Sequence, residues 1–284
     1  MKIRNYACNL FVVAIMEMVL FFVSSKLMST ILTAVYSTGV TLPVAVSLLL
    51  GNGLFIIHII LCVVYMRVMK PSSMGIYHFK ISHLLWGLLV GFVMNALLSL
   101  GAVFGTGMKL SFVSVTPLLI ICFITIAIQC AAEEVLLRAY VPSFMDGKYS
   151  WEAIAFVSGT LFIFHHINNI QLIGFDWRFC LNVFLIGCLL VLAVKVTRNV
   201  WWAIGFHTAW NFTQEYLFGL PNSGVSSQEA VFNASNPTSN FFFDENYGNE
   251  GSLYCTVVVV IAIIVALLIM RKKAAQNSDM VKAD

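Results

Sequence analysis

Long apolar runs dominate this chain, and their length matches a bilayer rather than the alternation of a half-buried strand or the stripe of a surface helix. Crossing a membrane takes about 20 apolar residues. Eight stretches qualify as predicted helices: 8–34, 44–68, 83–105, 114–143, 151–168, 178–197, 200–218 and 252–270. The connections are short except 219–251, which is rich in Asn, Ser, Gly and acidic residues. No internal repeat and no low-complexity segment interrupts the pattern. The expected fold is all-α, a polytopic membrane protein of about eight transmembrane helices with any polar site buried in the bundle. The expected division is 1–113 for three N-terminal helices, 114–218 for a core of four, 219–251 for an extracytoplasmic loop, and 252–284 for the last helix and a tail.

Composition sharpens the class. Of 284 residues 60% are hydrophobic and 10% charged, with mean hydropathy +0.90; water-soluble domains carry far more charge. Soluble enzymes, disordered chains and disulfide-stapled modules are excluded, and membrane lipid is the expected surrounding partner. A net charge of +3, from 16 basic and 13 acidic residues, is too scattered for a nucleic-acid surface. Seven cysteines (Cys8, Cys62, Cys122, Cys130, Cys180, Cys188, Cys255) form no Cys-x-x-Cys pair and read as small apolar core residues. The apolar stretch after Lys2 and Arg4 is too long for a cleavable signal peptide. With the N-terminus inside, 13 of the 16 Lys and Arg residues fall in cytoplasmic segments, and 219–251 has none. The positive-inside rule then expects a multi-pass plasma-membrane protein with both termini cytoplasmic.

Ionisable groups within a span are costly and ask for a reason. Glu17 and His58 stand alone in the sequence and read as helix–helix hydrogen-bond partners, with a functional role the lesser alternative. The remaining groups form three constellations. In Glu133-Glu134-Val135-Leu136-Leu137-Arg138, helical spacing sets Glu134 one turn before Arg138, the favourable order for an ion pair. Glu133 lies about 100° round the helix and is free of that pairing. Glu133 is therefore a candidate base; the alternative is a purely structural Glu–Arg bridge. In Phe162-Ile163-Phe164-His165-His166, Ser158, Phe162 and His166 share one face, and His165 points elsewhere. In His207-Thr208-Ala209-Trp210-Asn211, His207, Asn211 and Glu215 form a stripe. A His and an Asn one turn apart can donate to a developing oxyanion or form an interhelical polar zipper. Together the three supply a base, an orienting His and an electrophilic clamp, the parts needed to add water to an amide.

Other intramembrane hydrolase classes lack their residues here. Asp146, Asp176, Asp244, Asp279 and Asp284 all fall in loops or the tail, and neither Gly-x-Ser-Gly nor His-Glu-x-x-His occurs. The three constellations resemble the motifs of the CAAX protease and bacteriocin-processing (CPBP, or Abi) family of intramembrane proteases. Glu-Glu-x-x-x-Arg matches Glu133, Glu134 and Arg138; Phe-x-x-x-His matches Phe162 and His166; His-x-x-x-Asn matches His207 and Asn211. Trp201-Trp202 is similar to the family's approach to the third motif, and 219–224 and 247–252 are similar to a bacterial branch. The resemblance covers about 114–218. It implies an endopeptidase in which Glu133 is the base, His166 holds the attacking water, and His207 and Asn211 stabilise the oxyanion. Glu134, Arg138 and Phe162 would support them. The family is often labelled metalloprotease, and Glu133, His166 and His207 are the possible zinc ligands, although no metal is required for this chemistry. The implied partner is a peptide or protein substrate in or at the membrane. The rival readings are a non-catalytic scaffold or bacteriocin self-immunity protein of the same fold, and a proton-coupled transporter, which the absence of repeats disfavours.

Overall fold

The computed structural model describes residues 9–69, 78–227, 229–235 and 238–283, with side chains up to 272. Cys8 and the Lys and Arg residues at 2, 4 and 70 lie outside this description, as do the side chains of those at 273 and 282. In chain order, α1 (Leu10–Tyr36) is followed by α2 (Val44–Gly51) and α3 (Gly53–Met69), which together span Val44–Met69. Next comes α4 (Ile81–Thr106), then the short strand β1 (Lys109–Phe112). A rod from Leu118 to Met145 contains α5 (Leu118–Glu134), a π-helical turn (Val135–Tyr140) and α6 (Val141–Met145). α7 (Trp151–His165) bends by 47° into α8 (Ile167–Ile173). α9 (Trp177–Thr197) and α10 (Val200–Phe212) follow, and α10 runs into a second π-helical turn (Thr213–Leu217). The chain ends with β2 (Phe232–Ser235), a 3-10 turn (Asn249–Gly251) and α11 (Leu253–Ala283).

The molecule is a membrane-embedded, almost wholly helical protein. Among the described residues six helices are long and apolar enough to cross a bilayer, seven if the bent α7–α8 pair is one span. The expected count of eight is not reached by that measure. α7 stops at His165, so the polar residues following it run in a separate short helix. α10 has 13 residues, and only the π turn extends it. Both departures fall where polar side chains crowd the bundle and the backbone need not run straight through lipid.

Small residues set the packing, since lipid offers apolar side chains no less than another helix does. A Cβ at Gly91 of α4 would lie 2.2 Å from the Phe206 carbonyl oxygen, and one at Gly205 of α10 would lie 2.3 Å from that of Leu84. α4 and α10 therefore meet backbone to backbone. The outward side chains, including Phe11, Phe22, Trp86 and Phe104, are large and apolar, as lipid contact demands. Every residue from 132 to 145 is buried, so the rod that carries Glu133 and Glu134 forms the centre of the bundle. Polar residues cap the helix starts: Asn9 accepts from the Phe11 amide, Ser150 from Ala153, Asp176 from Arg178 and Asn199 from Trp201.

The segment between α10 and α11 folds back as a strap, a feature absent from the helical expectation. β2 pairs antiparallel with β1, setting Lys109 opposite Ser235 and Phe112 opposite Phe232. The Tyr247 ring stacks on Phe179 at 4.0 Å. Buried amides fasten the rest. Asn249 donates to Ser99 at 2.9 Å, and Asn182 donates to the Glu250 and Ser252 carbonyls at 2.7 and 2.8 Å.

Candidate active site

Two of the three sequence constellations sit where an α-helix passes into a π turn. Glu133 and Glu134 are the last residues of α5, and the His207–Asn211 turn ends α10. A π turn inserts extra backbone and rotates the side chains after it, which is why such turns recur at functional sites. The third constellation also ends a helix: His166 has φ −95° and ψ 7° and closes α7.

Glu134 is fully buried and faces two cations or donors at once. Arg138 Nη1 lies 3.1 Å from its Oε1, and His207 Nδ1 lies 2.9 Å from the same atom. A carboxylate only accepts, so His207 carries its proton on Nδ1 there. Sequence spacing gave Glu134 the Arg138 partner alone; the structure adds His207, 73 positions away. The π turn between Glu134 and Arg138 spoils the alignment of a simple helical pair, and no guanidinium nitrogen of Arg138 reaches hydrogen-bond geometry. Arg138 instead lies over the Phe162 ring, 4.3 Å from its centre.

Phe162 ties the constellations together. Its ring meets His166 edge-on at 4.9 Å and His207 at 5.6 Å, and its carbonyl lies 2.8 Å from His166 Nδ1. A carbonyl also only accepts, so in the neutral His166 ring Nδ1 is protonated and the Nε2 lone pair is left free. Room for this stack comes from Gly187 on α9. A Cβ there would lie 2.9 Å from Gly159 Cα, 3.3 Å from Arg138 Nη2 and 3.5 Å from Phe162 Cδ1.

Glu133 turns the other way, as its helical angle predicts. Gln129 donates to it at 3.2 Å, and His207 Nε2 lies 4.0 Å from its Oε2. Asn211 Nδ2 donates to His207 Nε2 at 3.3 Å and approaches Cys130 Sγ at 3.6 Å. Glu133, His166 and Asn211 all line one cavity of about 360 Å³. His207 is not on that wall; it stands behind Glu133 and Asn211 with Nε2 towards the gap between them.

Several residues on this wall escaped the sequence reading. Gln129 lies one turn before Glu133, a spacing that could have marked it. Asn222, Ser223 and Val225 of the strap close part of the cavity, and Ser223 holds a left-handed φ of 51° that is unusual for a residue with a side chain. His58 lines the cavity too, which overturns its reading as an isolated group. Glu17 makes the helix–helix hydrogen bond expected of it, its carboxylate bonding to His165 Nε2 across α1 and α7. His165 and His166 both face the cavity, because α7 ends between them and the bend turns both rings inward.

The possible zinc ligands Glu133, His166 and His207 were tested against this geometry. Among the described residues no three His, Cys, Asp or Glu side chains converge as a metal-binding group. His207 Nε2, the nitrogen a metal would need, instead accepts from Asn211, so the residues as placed do not fit a metal.

Comparison with known proteins bears on the same segment. Residues 114–213 match the family model described as type II CAAX prenyl endopeptidase, Rce1-like. The matched part, about a third of the chain, holds all three constellations. No curated protein and no solved structure matches the chain.

Proposed function

We propose that this protein, whose residues 114–213 match the Rce1-like CAAX endopeptidase family model, hydrolyses a peptide bond of a membrane-associated peptide or protein with water activated by Glu133. One observation carries the reading. Glu133 stands apart from the Glu134–Arg138 pair, on the wall of a polar cavity that it shares with His166 and Asn211, with His207 Nε2 4.0 Å behind it.

In this reading the substrate carbonyl lies between Glu133 and Asn211. His166 accepts from the attacking water through its free Nε2 while Glu133 takes a proton from it. Proton transfer to a positioned carboxylate contributes roughly 10²–10⁴-fold. The negative charge that develops on the carbonyl oxygen meets donors from Asn211 and from His207 in its protonated form, held from behind by Glu134. Each such donor is worth about 10²–10³-fold. Arg138 and Phe162 fix Glu134, His166 and His207 relative to one another. A plasma-membrane location with both termini cytoplasmic completes the proposal and follows from the charge distribution.

The test is cleavage by the purified full chain in liposomes, using quenched fluorescent peptides with and without a farnesyl group on a cysteine. The wild type should cleave one of them and Glu133→Gln neither. A non-catalytic scaffold of the same fold predicts no cleavage by either protein, and that result would overturn the proposal.

A further inference from the structure

The reaction above needs a second proton transfer, because the leaving nitrogen departs as an amine only after gaining a proton. At the same cavity a second ionisable cluster stands outside the three constellations. Glu17 of α1, buried with 1% of its surface exposed, bonds to Nε2 of His165. The Nδ1 of His165 has no hydrogen bond to another described residue. Phe21 packs its ring 5.0 Å from His165 and 5.4 Å from His58, and the two imidazoles stack at 6.4 Å. A carboxylate fixing one nitrogen of an imidazole, with the other left open to a cavity, is the arrangement of a proton donor.

Independent observations mark this end of the cavity as a place for polar ligand atoms. His58 Nε2 and Asn52 Oδ1 are buried without partners, and both residues line the wall. Orphaned buried polar groups cost stability unless something else meets them. A substrate amide crossing from Glu133 to this end would supply partners.

We propose that His165, held by Glu17, is the catalytic residue that protonates the leaving amine, and that Glu17 is its positioning residue. The proposal rests on the hydrolytic reading above. Water adds to the carbonyl carbon as one of its protons passes to Glu133. The C–N bond then breaks, its electron pair stays on nitrogen, and the Nδ1 proton of His165 in its protonated, imidazolium form moves to that nitrogen, leaving the neutral ring with its Nε2–H on Glu17. Glu133 returns its proton to His165 through water in the cavity, and the net reaction consumes one water. The first helix thus contributes to chemistry that the matched segment does not contain by itself.

The experiment compares two quenched peptides that differ only at the scissile bond, one an amide and one a thioester. A thiolate has a conjugate-acid pKa of about 8.5 and leaves without prior protonation. His165→Gln and Glu17→Gln should lower kcat on the amide, by about 10² or more for His165→Gln, with little change in KM. Both should retain most of their thioester hydrolysis, while Glu133→Gln loses both reactions. Thermal unfolding identifies a misfolded variant, for which His165→Asn gives a second reading. Equal losses on amide and thioester would make the pair structural and overturn the inference, as would no loss on either. Full activity of Glu133→Gln would instead sink the hydrolytic reading, and a wild type that cleaves neither probe would sink both.

Discussion

Two adjacent glutamates with the same chemistry have different surroundings, and their variants should fail differently. Glu133→Gln removes a proton acceptor from the cavity wall and keeps its shape, so turnover should fall by at least ~10²–10⁴ with protein abundance unchanged. Glu134→Gln weakens the carboxylate contact that Arg138, wholly buried, makes among the described residues. An uncompensated buried charge costs about 3–5 kcal/mol, so thermal stability should drop. Changing Arg138 to a neutral residue as well should restore part of it. Because Glu134 also holds His207, the rescued double variant should remain slow, which a cleavage assay on the purified protein will check. Asn211→Ala should cost about 10²–10³ in kcat at nearly normal stability. A well-folded, inactive Glu134→Gln beside a fully active Glu133→Gln would reverse the assignment.

At the scale of elements, the site depends on helices that approach closely at glycines. Gly187 lets α7 and α9 touch and leaves space for the Phe162–Arg138 stack: a Cβ there would lie 2.9 Å from Gly159 Cα and 3.3 Å from Arg138 Nη2. Gly187→Val should therefore lower stability by about 1–3 kcal/mol through overpacking. It should also reduce turnover, since Phe162 carries the carbonyl that orients His166. Gly91→Ala would place a methyl group 2.2 Å from the Phe206 carbonyl oxygen, which forces α10 away from α4. Its stability loss should fall in the same range, and the displacement would carry His207 and Asn211 with it. Thermal unfolding and cleavage rates measured together separate the two effects.

The whole molecule brings together a bundle, a strap and a membrane. Arg178 at the start of α9 bridges Asp176 and Asp244, reaching the strap at 3.1 Å. Partial burial pushes the Asp176 carboxyl up, but hydrogen bonds from the Arg178 side chain and backbone outweigh it and hold the group below the usual carboxylate range. A carboxyl held low in the folded state stabilises above its unfolded value, about 3.9 for Asp. That stabilisation is lost as pH falls through the lower folded value. Hydrogen exchange in 219–251 should therefore rise on acidification below about pH 4, the ordinary Asp range, before the helices open. Asp176→Asn should raise exchange at neutral pH and weaken the dependence. Topology is tested at the same scale: cysteines placed in 219–251 should react with an impermeant thiol reagent from outside the cell. Labelling from the cytoplasmic side alone would invert the arrangement.

The sequence by itself determined the class of environment and the chemical parts. Apolar runs of bilayer length can be satisfied only in lipid, and an ionisable residue within such a run stands out because its burial is costly. Glu133, Glu134, Arg138, His166 and His207 were legible for that reason, Phe162 and Asn211 by their place one turn from a histidine, and helical geometry alone separated Glu133 from Glu134. Tertiary structure decided the rest. Helical spacing describes neighbours three and four residues apart, whereas Glu134 meets His207 across 73 positions and Glu17 meets His165 across 148. The π turns and the bend at His166 change which way side chains point, and local pattern carries no signal for either. The strap over the cavity is held by amide and aromatic contacts from α4 and α9, so only the folded chain could show that it closes the site.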